Sequence, residues 1–283
     1  MRLTPAEYRR LPHRRITLLG MSGVGKTFLS NMLRREDWFH YSGDYRIGTR
    51  YLSEPILDNI KAQAMQVPFL RALLRTDSIQ IINNITVDNL SPVSSFLGKL
   101  GNPERGGLSL TEFKRRQALH HEAEVQAMLD VPDFIQKAQS LFGYPHFIND
   151  AGGSVSELES PEVMETLAQH TLILYIKASA RNERELIARA ERDPKPLYYR
   201  EAFLDEQLTR YMAEHELEYV AQIDPDDFVR WVFPHLFRAR LPRYEAIARD
   251  YGYTIMSNDL AQIGSAAEFD QLVEQALERG GTH

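Results

Sequence analysis

The stretch "ITLLGMSGVGKTFLSNMLRRE", residues 16–36, decides the fold. Its first four residues form an apolar run that ends at Gly20. Four residues separate Gly20 from Gly25-Lys26-Thr27, and beyond them Leu29, Met32 and Leu33 recur at helical spacing. The reading is strand, loop, helix. The spacing G-x-x-x-x-G-K-T matches a phosphate-binding loop, whose glycines let successive backbone N–H groups turn inward with no Cβ in the way. Gly20, Ser22, Gly23, Val24, Gly25, Lys26, Thr27 and Phe28 are the residues expected around a bound nucleotide's phosphates. Lys26 is expected to reach the β- and γ-phosphates and Thr27 to place its hydroxyl on Mg²⁺, with the positive end of the helix adding to the field.

The chain has 283 residues, 43% of them hydrophobic, which suffices for one large α/β domain with a buried core. No apolar run approaches the ~20 residues of a membrane span. The opening "MRLTPAEYRRLPHRR" has no apolar centre of the secretory kind, so the expected location is the cytoplasm. The absence of cysteine excludes disulfides, thiolate metal sites and cysteine nucleophiles together. A net charge of −6 argues against broad attraction to nucleic acid. The basic cluster Arg9, Arg10, His13, Arg14 and Arg15 reads as a solvated lead-in to the first strand.

Further strands are expected at Trp38 to Tyr41, at "PHFIND" (145–150), at "TLILYIKAS" (171–179) and at "YTIM" (253–256). The third of these is almost continuously apolar, as a strand covered on both faces should be. Helical patterns alternate with them: "PEVMETLAQH", "ARNERELIARAERD", "PRYEAIARDYG" and "SAAEFDQLVEQALER". This alternation predicts an α/β fold with a parallel sheet flanked by helices. A β-like run at Ile79 to Ile82 lies among Asn, Gly and Pro punctuation. Residues 52–140 are read as a mainly helical insertion and 181–238 as a lid with a second helical insertion, all within one domain spanning 1–283. The adjacent His120 and His121 point to different helix faces, which argues against a zinc pair.

A phosphate loop needs an anionic partner, and open α/β sheets place ligands at the C-terminal ends of their strands. Asp150 ends "HFIND" and precedes Ala151-Gly152-Gly153-Ser154; it is a candidate for holding Mg²⁺ through water. Asp44 follows the second strand in "SGD" and is a candidate for binding a hydroxyl and accepting its proton. Cations are also needed over a transferring phosphoryl group. The helix carrying Arg184, Arg189 and Arg192 ends at Pro194 and Pro196, a pattern compatible with an arginine-bearing lid.

In order, these motifs resemble the shikimate kinase-like branch of P-loop small-molecule kinases. That family carries L-x-G-x-x-G-x-G-K-T, D-x-D-x-x-I, a glycine triplet after the third strand, an apolar strand before a lid with R-P-L-L, and R-x-P-x-Y-x-x-x-A. Here "LLGMSGVGKT", "SGDYRI", "NDAGGS", "LILYIKAS", "DPKPLYY" and "RLPRYEAIA" follow one another over about two-thirds of the chain. The resemblance implies ATP and Mg²⁺, with Asp44 contacting a substrate hydroxyl and the metal's waters. It implies that Gly152 and Gly153 lie against substrate, that Arg240 grips a substrate carboxylate, and that Arg189 and Arg192 serve as lid arginines. Ser42 stands at the family's first acidic position, the triplet is Ala-Gly-Gly-Ser, and Lys195 replaces the lid arginine before Pro-Leu. With long insertions where this fold builds its acceptor pocket, an acceptor other than shikimate is expected.

Three alternatives stay open beside an ATP-dependent phosphotransferase or ATPase acting on a small hydroxylated acceptor. Asp150-Ala-Gly-Gly also fits the D-x-x-G of a GTPase switch, although no N-K-x-D guanine motif follows "LYIKAS". The insertions, with Trp231, Phe233 and Phe237, also fit an ATP-dependent regulatory protein with a protein partner. The third is a nucleic-acid end kinase, disfavoured by the acidic balance.

Overall fold

The computed structural model describes residues 2–280. Five strands, β1 (Arg15–Leu19), β2 (Trp38–Ser42), β3 (His146–Asp150), β4 (Leu172–Lys177) and β5 (Gly252–Met256), form one sheet in the order β2-β3-β1-β4-β5. Every pairing is parallel. A parallel sheet flanked by helices is an α/β architecture. The loop-bearing β1 lies at its centre between β3 and β4, so Ile16, Leu18 and Leu19 are wholly buried. Burial on both faces explains the unbroken apolar run of β4.

The chain folds into two compact units. The first joins residues 1–43, 124–194 and 230–283 and contains the sheet. In it, helices Lys26–Leu33 and Val131–Ser140 pack on β2 and β3, Pro161–His170 packs on β4, and Ala266–Gly280 packs on β5. One polar knot runs through this apolar sheet. The buried Thr17 hydroxyl is 2.8 Å from that of Thr171 and accepts from the Asn149 amide at 3.2 Å.

The second unit comprises residues 44–123 and 195–229. Its helices include Ser53–Ala64, Pro68–Arg75, Ser91–Leu97, part of Leu110–Leu129, and Glu201–Glu214. Ile56, Phe96, Phe113, Leu204 and Phe228 are among its buried apolar side chains. The buried Arg116 pins three of these helices together. Its guanidinium donates to the Phe96 carbonyl at 2.6 Å, to Asn59 at 2.7 Å and to Glu112 at 2.6 Å.

One reading of the sequence holds here and another is corrected. The β-like run at 79–82 stays in loop, since no neighbouring strand offers it a ladder and Ile82 is left exposed. The segment around Trp231 and the pattern starting at Pro242 belong to one helix, Pro225–Tyr251, which runs through both Pro234 and Pro242. An interior proline removes a backbone donor and usually ends a helix. Here Phe228, Val232, Leu236, Phe237 and Tyr244 are buried along its length, and this packing outweighs the local preference.

Candidate functional site

The turn from β1 into helix Lys26–Leu33 depends on glycine. Gly20, Gly23 and Gly25 have φ of 145°, 89° and 106°, a region in which side chains are strained. Space is denied as well: a Cβ on Gly20 would lie 2.8 Å from the Ile176 carbonyl oxygen. At Gly23 it would strike the Arg189 guanidinium and approach Leu186 Cδ2 to 2.8 Å, which places Arg189 directly against the loop. Arg192, the other lid candidate, is exposed and donates from Nε to the Ala188 carbonyl of its own helix at 3.3 Å.

Lys26 is buried, and its ammonium donates to the carbonyls of Gly20 at 2.7 Å and Met21 at 3.1 Å. These carbonyls hold the ammonium at the glycine loop. The Thr27 hydroxyl donates to Asp150 Oδ2 at 2.6 Å. Threonine and aspartate oxygens therefore meet at a helix N-terminus, as a hard cation that takes one or two protein oxygens plus phosphate and water requires. Among the described residues no group of three or more His, Asp and Glu side chains could hold a metal alone. The fit to Mg²⁺ thus rests on the Thr27–Asp150 pair. Val24 is buried within the loop, and Phe28, on the first turn of the helix, is two-thirds exposed.

The segment after Asp150 closes on the same loop. A Cβ on Gly153 would stand 3.0 Å from the Ser22 backbone nitrogen, and the Gly152 nitrogen lies beside Gly43. The Gly153 carbonyl accepts from Arg240 at 2.9 Å and from the Tyr244 hydroxyl at 2.9 Å, and Tyr244 also reaches the Gly20 carbonyl at 3.3 Å. Arg240 and Tyr244 are four residues apart on one helix face, so one element ties the third-strand turn to the glycine loop. Burial raises the Tyr244 hydroxyl's pKa, keeping it a donor. The Arg240 guanidinium lies 3.5 Å from the Glu157 carboxylate, with both side chains almost wholly enclosed. Nearby, Ser154 donates to the fully buried Glu124 at 2.6 Å.

Of the residues singled out by sequence, the first unit brings together the loop, Asp150, Gly152, Gly153, Arg189 and Arg240. Asp44 belongs to the second unit, where it opens the short helix after β2. Tyr244, Glu124, Glu157 and His40 were missed. Tyr244 was legible as the i+4 neighbour of Arg240; Glu124 and Glu157 looked like ordinary helix-surface acids. His40 sat in an aromatic strand run. Its ring is 1% exposed, and Nε2 lies 3.7 Å from Asp150 Oδ2.

Protein-family models give no match to this chain, and curated proteins give none. Among solved structures, a shikimate kinase from Bacteroides thetaiotaomicron is similar over 94% of this chain and 95% of that one, at 14% identity and a TM-score of 0.42. No helix among the described residues is long and apolar enough to cross a membrane.

Proposed function

We propose that the chain is an ATP- and Mg²⁺-dependent phosphotransferase that moves the γ-phosphate to a hydroxyl of a small molecule, with ATP hydrolysis as its basal reaction. The observation that carries this reading is the 2.6 Å Thr27–Asp150 contact beneath a glycine loop that already holds Lys26 at its mouth. Backbone N–H groups of the loop and the N-terminus of helix Lys26–Leu33 would cradle the phosphates. Thr27 and Asp150 would hold the metal, which would supply positive charge to the phosphates. Lys26 turns from its carbonyls to the β- and γ-phosphates. Arg189, already against Gly23, would supply positive charge to the transferring group.

In transfer, the acceptor oxygen bonds to the γ-phosphorus as the bond to ADP breaks, and Asp44 is assigned the released proton. Arg240 is assigned to the acceptor side on the resemblance of its motif. Its contacts with Gly153 and Glu157 favour a role in setting the turn that the acceptor meets.

The test is a screen of hydroxylated small molecules for ADP release above the basal rate, with Lys26→Ala as control. The variant should keep its circular dichroism and lose turnover by at least about a hundredfold, the scale of one lost transition-state contact. Unchanged turnover in Lys26→Ala would refute the site. A basal rate that no acceptor raises would leave ATP hydrolysis as the reaction.

A further inference from the structure

His40 is placed by the sheet where its chemistry matters. In β2, Trp38, His40 and Ser42 share one face, while Phe39 and Tyr41 share the other with Phe134 and Phe147. The parallel register sets His40 beside Ile148 and Ser42 beside Asp150. The imidazole therefore lies in the layer that leads to the Thr27–Asp150 pair. Its side chain is 1% exposed, and neither ring nitrogen has a hydrogen-bond partner. Buried polar groups without partners are rare, and an apolar residue would fill the same space without that cost. What distinguishes this position is one neighbour: Nε2 lies 3.7 Å from Asp150 Oδ2, the oxygen that accepts from Thr27.

We propose that His40 is a positioning residue for the metal-holding carboxylate: its Nε2–H closes on Asp150 Oδ2 as a second donor beside the Thr27 hydroxyl and fixes the carboxylate for Mg²⁺. In the structure the Thr27 hydroxyl occupies Oδ2. A threonine oxygen can ligate a cation through a lone pair while its proton stays on Oδ2, and that carboxylate oxygen still has room for a second donor inside a buried site. His40 is the side chain poised to supply that second donor, with the proton on Nε2. A ligating carboxylate oriented by an outer N–H binds metal more tightly, and loss of such partners typically costs 10–100-fold in metal affinity. This role rests on the nucleotide and magnesium reading above.

The experiment measures ATP binding to the whole chain by calorimetry, first in EDTA and then across a Mg²⁺ titration, for the wild type, His40→Leu and His40→Gln. Leucine keeps the volume and removes the donor. Glutamine keeps an N–H at the reach of Nε2. The proposal expects His40→Leu to raise the Mg²⁺ concentration for half-maximal tightening by at least about tenfold. Its ATP affinity in EDTA and its urea midpoint should not fall, and His40→Gln should recover most of the Mg²⁺ response. An unchanged Mg²⁺ midpoint in His40→Leu, or an equal loss of affinity with and without Mg²⁺, would overturn it. If His40→Leu does not fold, His40→Ala carries the same comparison. A wild type that binds ATP equally with and without Mg²⁺ refutes the magnesium reading itself, a result distinct from any difference between variants.

Discussion

Two stretches of this chain stand in opposite relations to their surroundings: the loop between β1 and helix Lys26–Leu33, and residues 65–90. In the loop, neighbours crowd each of three glycines held at positive φ, and Lys26 is buried against loop carbonyls. From 65 to 90 no residue is buried; helix Pro68–Arg75 contributes nothing to a core, and Phe69 and Ile82 are more than 70% exposed. The contrast separates shape set by close packing on every side from shape held by a few partly exposed contacts, such as Ile85 beside Gly48. A segment without buried apolar contacts opens at low free energy, whereas the loop is held by the central strand of the sheet.

The sharpest way to break this comparison is to add one methyl group. Gly20→Ala places a Cβ at a positive φ and against the Ile176 carbonyl, so about 3 kcal/mol of stability should be lost, together with nucleotide binding. Urea unfolding and calorimetry check this; a neutral result would show that the loop yields as readily as residues 65–90.

Acid should act on the two units at different pH. In the first unit, burial lowers the His146 pKa below its usual 6.5, with the Arg14 charge adding to the effect. Its Nδ1 accepts the Arg14 backbone N–H at 3.1 Å, which requires an unprotonated nitrogen. The unfolded chain therefore takes up this proton first, and the fold loses stability as pH falls below about 6.5. In the second unit, hydrogen bonds from Arg115 and then Arg116 hold the Glu112 pKa at about 2, against 4.5. Its contribution is present above about pH 4.5 and is lost as pH falls toward 2. Urea midpoints measured across pH should show His146→Gln flattening the upper window and Glu112→Gln the lower. One shared window for both would contradict these assignments.

The smallest effect is expected at Phe69. Phe69→Ser should change stability by no more than about 0.5 kcal/mol, because a 71% exposed side chain has little burial to lose. A larger loss in urea unfolding would show that residues 65–90 are packed in solution against something their exposure does not reveal.

Much of the first unit was legible in advance because its signals are local. The G-x-x-x-x-G-K-T spacing, the apolar β4 run and Asp150 at a strand end each state a conformational or solvation requirement within a few residues. The run at 79–82 was ambiguous because it had β-like composition but no partner, and pairing is a property of two segments. Proline likewise misled at 234 and 242, where burial of the surrounding helix face overrode a backbone preference. His40, Glu124 and Tyr244 escaped notice because a side chain's meaning here lies in what another strand or helix brings to it.

By itself, then, the sequence determined a glycine loop with its lysine and threonine, a strand before it, a helix after it and a parallel sheet, since backbone sterics and hydrophobic periodicity act over short separations. Tertiary structure alone decided that Thr27 meets Asp150 across 123 residues, that Arg189 rather than Arg192 lies against the loop, and that a buried imidazole stands beside the Asp150 carboxylate. Those contacts follow from strand register and helix packing, which join residues far apart in the chain and leave no pattern within any one stretch.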